Sequence, residues 1–302
     1  MDKLIKGLLA DSMANLYAID AAGLVDSART LHGASPVCTA ALGRALMAAS
    51  MMGTMLKAED GEVSLIFRGG GITGNIICVG RQDGSVKGCI GNPSADLPPN
   101  ENGKLPVGKA VGKNGTITVV TDLRMKEPYV GQCALISGEI AEDLASYFAK
   151  SQQQPTAVYL GVHMNSGGVT SACGIIVQAM PNCPDIMLEQ IEKSMYSAGE
   201  LPKMIESGMN LPDAVGQLFS GLSFEVLETV VPVLRCDCSR GRLERALMGL
   251  GETELLEMAD EQHGAELVCH FCNREYHFTE EDLLTIASAA KASHNARKDA
   301  HE

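Results

Sequence analysis

The chain has 302 residues and a formal net charge of −13, from 24 Lys and Arg against 37 Asp and Glu. Proteins that bind nucleic acids or anionic membranes gain affinity from clustered basic residues, so we expect neither as a partner. The most apolar run has 12 residues, from Ala45 to Leu56, which is too short to span a bilayer. The start of the chain lacks the apolar core of a signal peptide, and we therefore expect a cytoplasmic protein.

Residues 1–180 have the pattern of a mixed α/β core domain. Ser35 is a favourable N-cap before a proline, so a long buried helix is expected over residues 36–56. Apolar and polar residues alternate over residues 62–67, as in a half-buried strand. Turn dipeptides that supply positive φ occur at Asp83-Gly84, Asn114-Gly115 and Gly167-Gly168. Together these signals predict one substantial, largely antiparallel sheet packed against helices.

A segment of interrupted helices follows, over residues 181–231. Pro181 and Pro184 break the preceding pattern, and three short amphipathic stretches come after them: DIMLEQIEKSM, LPKMIESG and LPDAVGQLFSG. Helices this short are marginal in isolation, so their order depends on packing against another part of the protein. We interpret the segment as a linker of conditional stability, with an ordinary helical subdomain as the alternative. Residues 224–234 predict a strand that leads into a cysteine-rich region.

Four cysteines are concentrated in a third region, residues 232–302, which ends in a polar tail. Their pattern is C-D-C, 30 intervening residues, then C-H-F-C, at Cys236, Cys238, Cys269 and Cys272. Four thiolates bind Zn²⁺ tetrahedrally and leave no open position for water. The set therefore predicts a closed structural site and no hydrolytic chemistry. The alternatives are replacement of one sulfur by His263, His270 or His277, and four thiols without metal.

The metal is expected to decide whether this region folds. About 50 residues are too few for a robust core, whereas structural zinc contributes about 10–16 kcal/mol of apparent free energy in small zinc peptides. Oxidation to disulfides would remove the thiolate ligands. Four arginines lie close in sequence and would keep the thiolates populated: Arg235, Arg240, Arg242 and Arg274. This chemistry alone fits an oxidation-sensitive switch and an inert structural site about equally well.

The segment PVLRCDCSRGRLERALMGLGETELLEMADEQHGAELVCHFCNREYHF resembles the zinc domain of the heat shock protein 33 family. The CxC and CxxC pairs, the helix RLERALMGLG and the closing YHF carry this resemblance, and HGASPVCTAALGRALMAASMMGTMLK resembles the family's core domain. The resemblance covers nearly the whole chain and implies an α+β protein in three parts. These are a mixed α/β core domain with a largely antiparallel sheet (1–180), a metastable helical linker (181–231) and a small zinc-binding redox-switch domain (232–302).

The resemblance also implies a function. Members of the family are redox-regulated, ATP-independent holdase chaperones and not enzymes. In the reduced, inactive state one Zn²⁺ per chain would be bound by the four clustered cysteines. Oxidation, together with mild unfolding stress, would form the disulfides Cys236–Cys238 and Cys269–Cys272, release the metal and unfold the linker. The apolar surface so exposed would bind unfolding client proteins, and the oxidised form would be a homodimer.

Two other functions fit parts of the pattern. One is a structural zinc-ribbon protein without regulated chaperone activity. The other is a thiol–disulfide oxidoreductase, which would place its CxxC motif near a βαβ unit of thioredoxin type. Six further cysteines exceed the number usual in the family and fall mainly in apolar segments, so we expect them to be buried, with Cys183 as the exception. They are Cys38, Cys78, Cys89, Cys133, Cys173 and Cys183.

Overall fold

The computed structural model describes the backbone of residues 2–299 and the side chains of residues 2–291. The chain divides after Arg235 into two compact units. The first unit contains the segments predicted as core and linker, and the second contains the four clustered cysteines. Within the described part of the chain, no helix is both long enough and apolar enough to cross a membrane.

The first unit alternates strands and helices. Its strands are β1 (Lys3–Leu9), β2 (Ala14–Asp20), β3 (Glu62–Arg68), β4 (Ile76–Arg81), β5 (Ser85–Ile90), β6 (Thr116–Asp122), β7 (Tyr129–Ala134), β8 (Thr156–Asn165), β9 (Gly168–Ala179), β10 (Phe224–Val230) and β11 (Val233–Leu234). Its α-helices are α1 (Ala22–His32), α2 (Pro36–Thr54), α3 (Val107–Val111), α4 (Ala141–Tyr147), α5 (Asp185–Tyr196), α6 (Leu201–Glu206) and α7 (Leu211–Leu218). A π-helical turn follows α4 at Phe148–Gln152, and a 3₁₀ turn precedes α6 at Ala198–Glu200.

The strands of this unit form two sheets, whereas the sequence had predicted one. The first sheet has the order β10-β1-β2-β9-β8, and the second has the order β11-β5-β4-β3-β6-β7. Neighbouring strands are antiparallel, except that β11 runs parallel to β5. The prediction of a largely antiparallel arrangement is therefore confirmed. The division into two sheets was missed because β2 pairs with the distant strand β9, whereas the next strand along the chain, β3, pairs with β4 and β6.

Helix α2 lies between the two sheets and forms the centre of the core. Ser35 caps it as predicted, because its Oγ accepts a hydrogen bond from the Cys38 N–H at 3.3 Å. Every residue from Val37 to Thr54 except Arg44 is buried, and the helix contacts strands of both sheets. Helix α2 and strand β4 approach each other closely at Gly80, where an added Cβ would lie 1.8 Å from the Ala49 carbonyl oxygen. Small residues at such contacts allow close packing without strain.

Helices α5, α6 and α7 cover the face of the first sheet that points away from α2. Their apolar residues, among them Leu201, Val215 and Phe219, form one buried cluster with residues of β1, β2 and β9. Asn210 caps α7 by accepting a hydrogen bond from the Asp213 N–H at 3.0 Å. The short helices predicted for the linker are therefore confirmed. Packing on the sheet gives helices of six and eight residues the tertiary support they need.

The single strand predicted over residues 224–234 is wrong, because this stretch forms two strands on different sheets. Pro232 lies between β10 and β11 and cannot donate a ladder hydrogen bond. Beyond β11, the Arg235 N–H donates to the Val86 carbonyl at 2.9 Å. The Arg235 guanidinium binds the Asp83 carboxylate and the Ser85 hydroxyl. The chain is thus fixed to the second sheet immediately before the first clustered cysteine.

The second unit contains α8 (Arg240–Met248), α9 (Glu252–Gln262), β12 (Gly264–Val268), β13 (Glu275–Thr279) and α10 (Glu280–Asp299). Its core is a small cluster built around residues such as Leu255, Phe278 and Leu283. Thr279 caps α10, since its Oγ1 accepts a hydrogen bond from the Asp282 N–H at 3.2 Å. The predicted polar tail is helical as far as Asp299, and residues 300–302 lie outside the described residues.

Candidate metal centre

Cys269 and Cys272 lie in the turn that joins β12 to β13. The Cys269 N–H donates to the Arg274 carbonyl at 2.9 Å and closes the hairpin. The Cys269 carbonyl in turn accepts from the N–H groups of Cys272, at 3.2 Å, and Asn273, at 2.7 Å. Asn273 has a φ of +55°, a left-handed conformation that asparagine tolerates better than most residues. This hydrogen-bonded turn fixes the spacing of the two cysteines.

Cys236 and Cys238 lie in the non-helical segment that precedes α8. Asp237 between them forms an ion pair with Arg242 in the first turn of that helix. The chain then passes through α8, α9 and β12 before it returns to the same place. Two helices and a strand therefore account for the 30-residue spacing.

The four sulfurs form one cluster. All four Sγ atoms lie within 4.8 Å of one another. Two sulfur contacts cross between the segments, Cys236 to Cys269 at 3.7 Å and Cys238 to Cys272 at 3.3 Å. Two ligands at the usual zinc–sulfur distance of about 2.3 Å in a tetrahedron lie about 3.8 Å apart, so the set fits such an ion. The arrangement can hold a metal in a closed four-sulfur site.

Tyr276 contributes a hydrogen bond to this cluster that the sequence analysis had not anticipated. Its hydroxyl donates to the Cys238 Sγ at 3.2 Å. Burial raises the pKa of Cys238, but this bond and those from the neighbouring thiols outweigh it and lower the pKa to about 7. For Cys236, burial and thiol neighbours raise the pKa to about 12. Cys238 is therefore the sulfur of this pair that ionises more readily.

The arginines near the cluster differ in what they contact. Arg274 hydrogen-bonds to Tyr276 and interacts electrostatically with Cys238 and Cys272, as the sequence had suggested. The other three bind carboxylates. Arg235 pairs with Asp83, Arg242 with Asp237, and Arg240 with Asp282 at 2.7 Å. Proximity in sequence had therefore overstated the number of cations that stabilise the thiolates.

The three histidines considered as alternative ligands are not part of the cluster. His263 pairs with Glu280 at 3.3 Å and His277 with Glu266 at 3.5 Å, and both side chains are exposed. His270 is also exposed. The group of potential ligands found among the described residues consists of the four cysteines alone. This geometry favours the four-sulfur set over a set with one histidine.

The remaining six cysteines divide evenly by exposure. Cys38, Cys78 and Cys173 are buried, whereas Cys89, Cys133 and Cys183 are half-buried. Burial raises the pKa of Cys173 to about 12 and raises that of Cys78 well above its ordinary value, so both thiols are poor nucleophiles at neutral pH. The expectation of burial is confirmed for three of the five cysteines to which it applied. It is wrong for Cys89 and Cys133, which are half-buried like the expected exception, Cys183.

The fold and the site define a class of protein, in which a two-sheet α+β unit precedes a small module with four cysteines suited to a metal ion. A model of the Hsp33 protein family matches residues 2–279. The chain belongs to the Hsp33 family. The resemblance read from the cysteine pairs and the long buried helix is thereby confirmed, as is the α+β fold class.

Relatives match along almost the whole chain. A protein of Clostridium perfringens (strain 13 / Type A) named 33 kDa chaperonin is 44% identical over 284 residues, which are 93% of this chain and 89% of that protein. A protein of the same name from Alkaliphilus metalliredigens is 42% identical over 282 residues, 93% of this chain and 97% of its own. A crystal structure of the 33 kDa chaperonin from Thermotoga maritima, an Hsp33 homolog, is 33% identical with a TM-score of 0.85. It covers 95% of this chain and 97% of that one.

Proposed function

We propose that the protein is a redox-regulated, ATP-independent holdase chaperone that is inactive when reduced and metal-bound. The observation that carries this proposal is the cluster of four sulfurs in a unit too small to build a large core. Family membership and the names of the relatives support it. A non-enzymatic role fits the same family. The CxxC motif also lies in a β-hairpin turn, whereas a thiol–disulfide oxidoreductase of thioredoxin type would place it beside a βαβ unit.

The metal we propose is one Zn²⁺ per chain, held by Cys236, Cys238, Cys269 and Cys272. Thiolate ligands select zinc over hard cations such as Mg²⁺ and Ca²⁺. When bound, the ion neutralises part of the thiolate charge and contributes the folding free energy that the small core lacks. The residues themselves fix the site through the hairpin turn and through the ion pair of Asp237 with Arg242.

The signal we propose is oxidation of these thiolates by a peroxide or a similar two-electron oxidant. One thiolate attacks a peroxide oxygen, the O–O bond breaks, and a sulfenic acid and hydroxide are formed. A second thiolate attacks the oxidised sulfur, forms the S–S bond and displaces a second hydroxide. Two protons from solvent convert both hydroxides to water. Each disulfide therefore removes two ligands from the site.

The pairing we propose is Cys236 with Cys238 and Cys269 with Cys272. Once the unit loses its fold, closing a loop of a few residues costs much less entropy than closing one of more than 30. The folded cluster instead places Cys236 beside Cys269 and Cys238 beside Cys272. Disulfide mapping by mass spectrometry therefore tests the order of events. Local pairs are expected if unfolding accompanies oxidation, and cross-linked pairs would show that oxidation is complete within the folded cluster.

The surface that binds clients is proposed to be the one beneath the linker, residues 181–231. Helices α5 to α7 cover apolar residues of the first sheet that include Ile5, Leu16 and Ile175. Their release would expose this face together with the apolar faces of the helices. Unfolding the second unit would loosen the linker because Cys236 follows directly on the segment held by Arg235. We propose that the oxidised protein forms a homodimer, acts in the cytoplasm, and binds neither nucleic acids nor membranes.

An aggregation assay tests this function. A thermally unfolding client is mixed with the full chain, either reduced and zinc-loaded or treated with hydrogen peroxide or hypochlorous acid, and light scattering and zinc release are followed together. Suppression of scattering is expected only after oxidation, and in step with zinc release. Zinc release without any suppression would leave a structural zinc protein. Catalytic turnover of a disulfide substrate would point instead to an oxidoreductase.

A further inference from the structure

The hydroxyl of Tyr276 is held against one of the four sulfurs by the fold of the second unit. It donates to the Cys238 Sγ at 3.2 Å. Tyr276 lies on β13, opposite Leu267 of β12, so the hairpin register sets its position along the strand. Its ring packs partly buried against the cluster that contains Leu247, Leu255 and Phe278. Because these contacts involve the ring, the hydroxyl can be removed with little change in packing.

The sulfurs also accept hydrogen bonds from the backbone. The N–H of Cys238 bonds to the Cys236 sulfur, and the N–H of Arg274 bonds to the Cys272 sulfur. Substitutions other than proline leave these backbone donors in place. The Tyr276 hydroxyl is a side-chain donor, and the Arg274 guanidinium hydrogen-bonds to it in turn. A cation that binds the phenol oxygen polarises the O–H group and strengthens its hydrogen bond to sulfur.

We propose that Tyr276 is a positioning residue whose hydrogen bond lowers the reactivity of the Cys238 sulfur toward oxidant and so slows oxidation of the metal site. Four thiolates around one divalent cation retain excess negative charge, which makes the sulfurs nucleophilic toward peroxide. A hydrogen bond draws charge from the Cys238 sulfur and slows its attack on the peroxide oxygen. Outer-sphere hydrogen bonds of this kind tune the reactivity of metal ligands. This inference rests on the proposed function, because the reaction it controls is the oxidation described above.

The test compares Tyr276→Phe with the wild type and with Tyr196→Phe, which removes the same hydroxyl from a side chain that is 89% exposed. Each full-length protein is loaded with zinc, its metal content is measured, and zinc release under excess hydrogen peroxide is followed with a chromogenic chelator. We expect Tyr276→Phe to bind one zinc and to release it about three- to tenfold faster, the range expected for losing part of a hydrogen bond to a charged acceptor. Tyr196→Phe should match the wild type.

A cobalt-substituted sample gives a readout that a purely structural role would not change. Loss of the hydrogen bond should shift the thiolate-to-cobalt charge-transfer band of Tyr276→Phe while the thermal unfolding midpoint stays close to that of the wild type. Equal release rates and equal spectra would overturn the inference. Loss of zinc from Tyr276→Phe before any oxidant is added would overturn it as well, because the phenol would then be needed to build the site.

A second variant tests the same inference if Tyr276→Phe does not fold. Arg274→Gln removes the group that polarises the phenol but keeps the hydroxyl, and its side chain lies on an exposed residue. A smaller acceleration in the same direction is expected, and an unchanged rate in a fully loaded protein would contradict the role of Arg274. A wild type that binds no zinc, or is oxidised without gaining chaperone activity, would refute the proposed function itself. The Tyr276 inference would fail separately if the wild type bound zinc and gained chaperone activity on oxidation, but Tyr276→Phe released zinc at the same rate as the wild type.

Discussion

Cys269 is the residue on which the proposed metal site depends most. It is 9% exposed, and its N–H and carbonyl both belong to the hairpin turn that carries Cys272. Its sulfur contacts that of Cys236 across the two segments. Loss of this sulfur would remove a proposed metal ligand and also the contact between the hairpin turn and the segment that carries Cys236.

We expect Cys269→Ser to bind zinc more than about 100-fold more weakly, beyond the loss typical for outer-sphere partners of a metal ligand. The second unit should then lose its amide protection, because its core is too small to stand alone. Isothermal titration with zinc and hydrogen exchange measure the two effects. Cys133→Ser, a half-buried thiol on β7, serves as the control and should keep both properties. Full zinc affinity in Cys269→Ser would show that three sulfurs suffice.

At the scale of single residues, spacing predicted the four cysteines but not their partners. Two pairs of cysteines with a fixed separation leave few alternatives, so the cluster could be read directly from the sequence. The contact of Tyr276 with Cys238 depends on the register of β12 and β13, which pattern alone does not give. The same limit applies to Arg235, Arg240 and Arg242, whose carboxylate partners could not be foreseen.

Among the elements, β10 is the strand on which the order of the linker depends. It lies at the edge of the first sheet, pairs with β1, and has mostly exposed side chains. The pairing contains an irregularity beside Gly7, where an added Cβ would lie 2.5 Å from the Glu225 carbonyl oxygen and 2.9 Å from the Phe224 ring. A glycine at this position lets the two strands approach.

Gly7→Ala is therefore expected to weaken the β1–β10 pairing by about 1–3 kcal/mol, as overpacked positions commonly do. Hydrogen exchange should accelerate in β10, and client protection should appear at lower oxidant concentrations than in the wild type. The control is Gly199→Ala, at a position in the linker where an added Cβ would meet nothing within 4 Å. Unchanged exchange in Gly7→Ala would mean that β10 does not limit the stability of the linker.

The elements also show which parts of the fold were accessible from sequence. Helix α2 and the short helices of the linker were predicted because caps, prolines and apolar spacing are local signals. The two sheets and the separation of β10 from β11 were not, because they depend on pairing between distant strands. Pro232 was the local hint that the stretch from Phe224 to Leu234 is interrupted.

At the scale of the whole molecule, the two units differ in how they are stabilised. The first has a large apolar core centred on α2, and the second has a small one beside the sulfur cluster. Structural zinc contributes about 10–16 kcal/mol of apparent free energy in small peptides, which matches or exceeds the net stability of a typical domain, about 5–15 kcal/mol. The second unit should thus depend on its metal and the first should not.

Removal of the metal under reducing conditions tests this difference. A strong chelator is expected to abolish amide protection over residues 236–299 while α2 and the strands beside it keep theirs. Limited proteolysis should then cut first within the second unit, and re-addition of Zn²⁺ should restore resistance. Protection that survived in both units after complete zinc removal would refute the dependence of the second unit on metal.

The attachment of β10 and β11 to separate sheets has a kinetic consequence. Detachment of the chain before Cys236 requires two independent openings, each with its own rate. A molecule in which β10 has separated from β1 while β11 remains paired with β5 still has the end of this segment in its native position. Its β10 strand can therefore pair again quickly. The partial detachment caused by a brief exposure to oxidant would then be reversed, whereas the complete detachment caused by a sustained exposure would not. Hydrogen exchange that is faster at the Thr229 amide in β10 than at the Arg235 amide, which bonds to the Val86 carbonyl, would reveal this order.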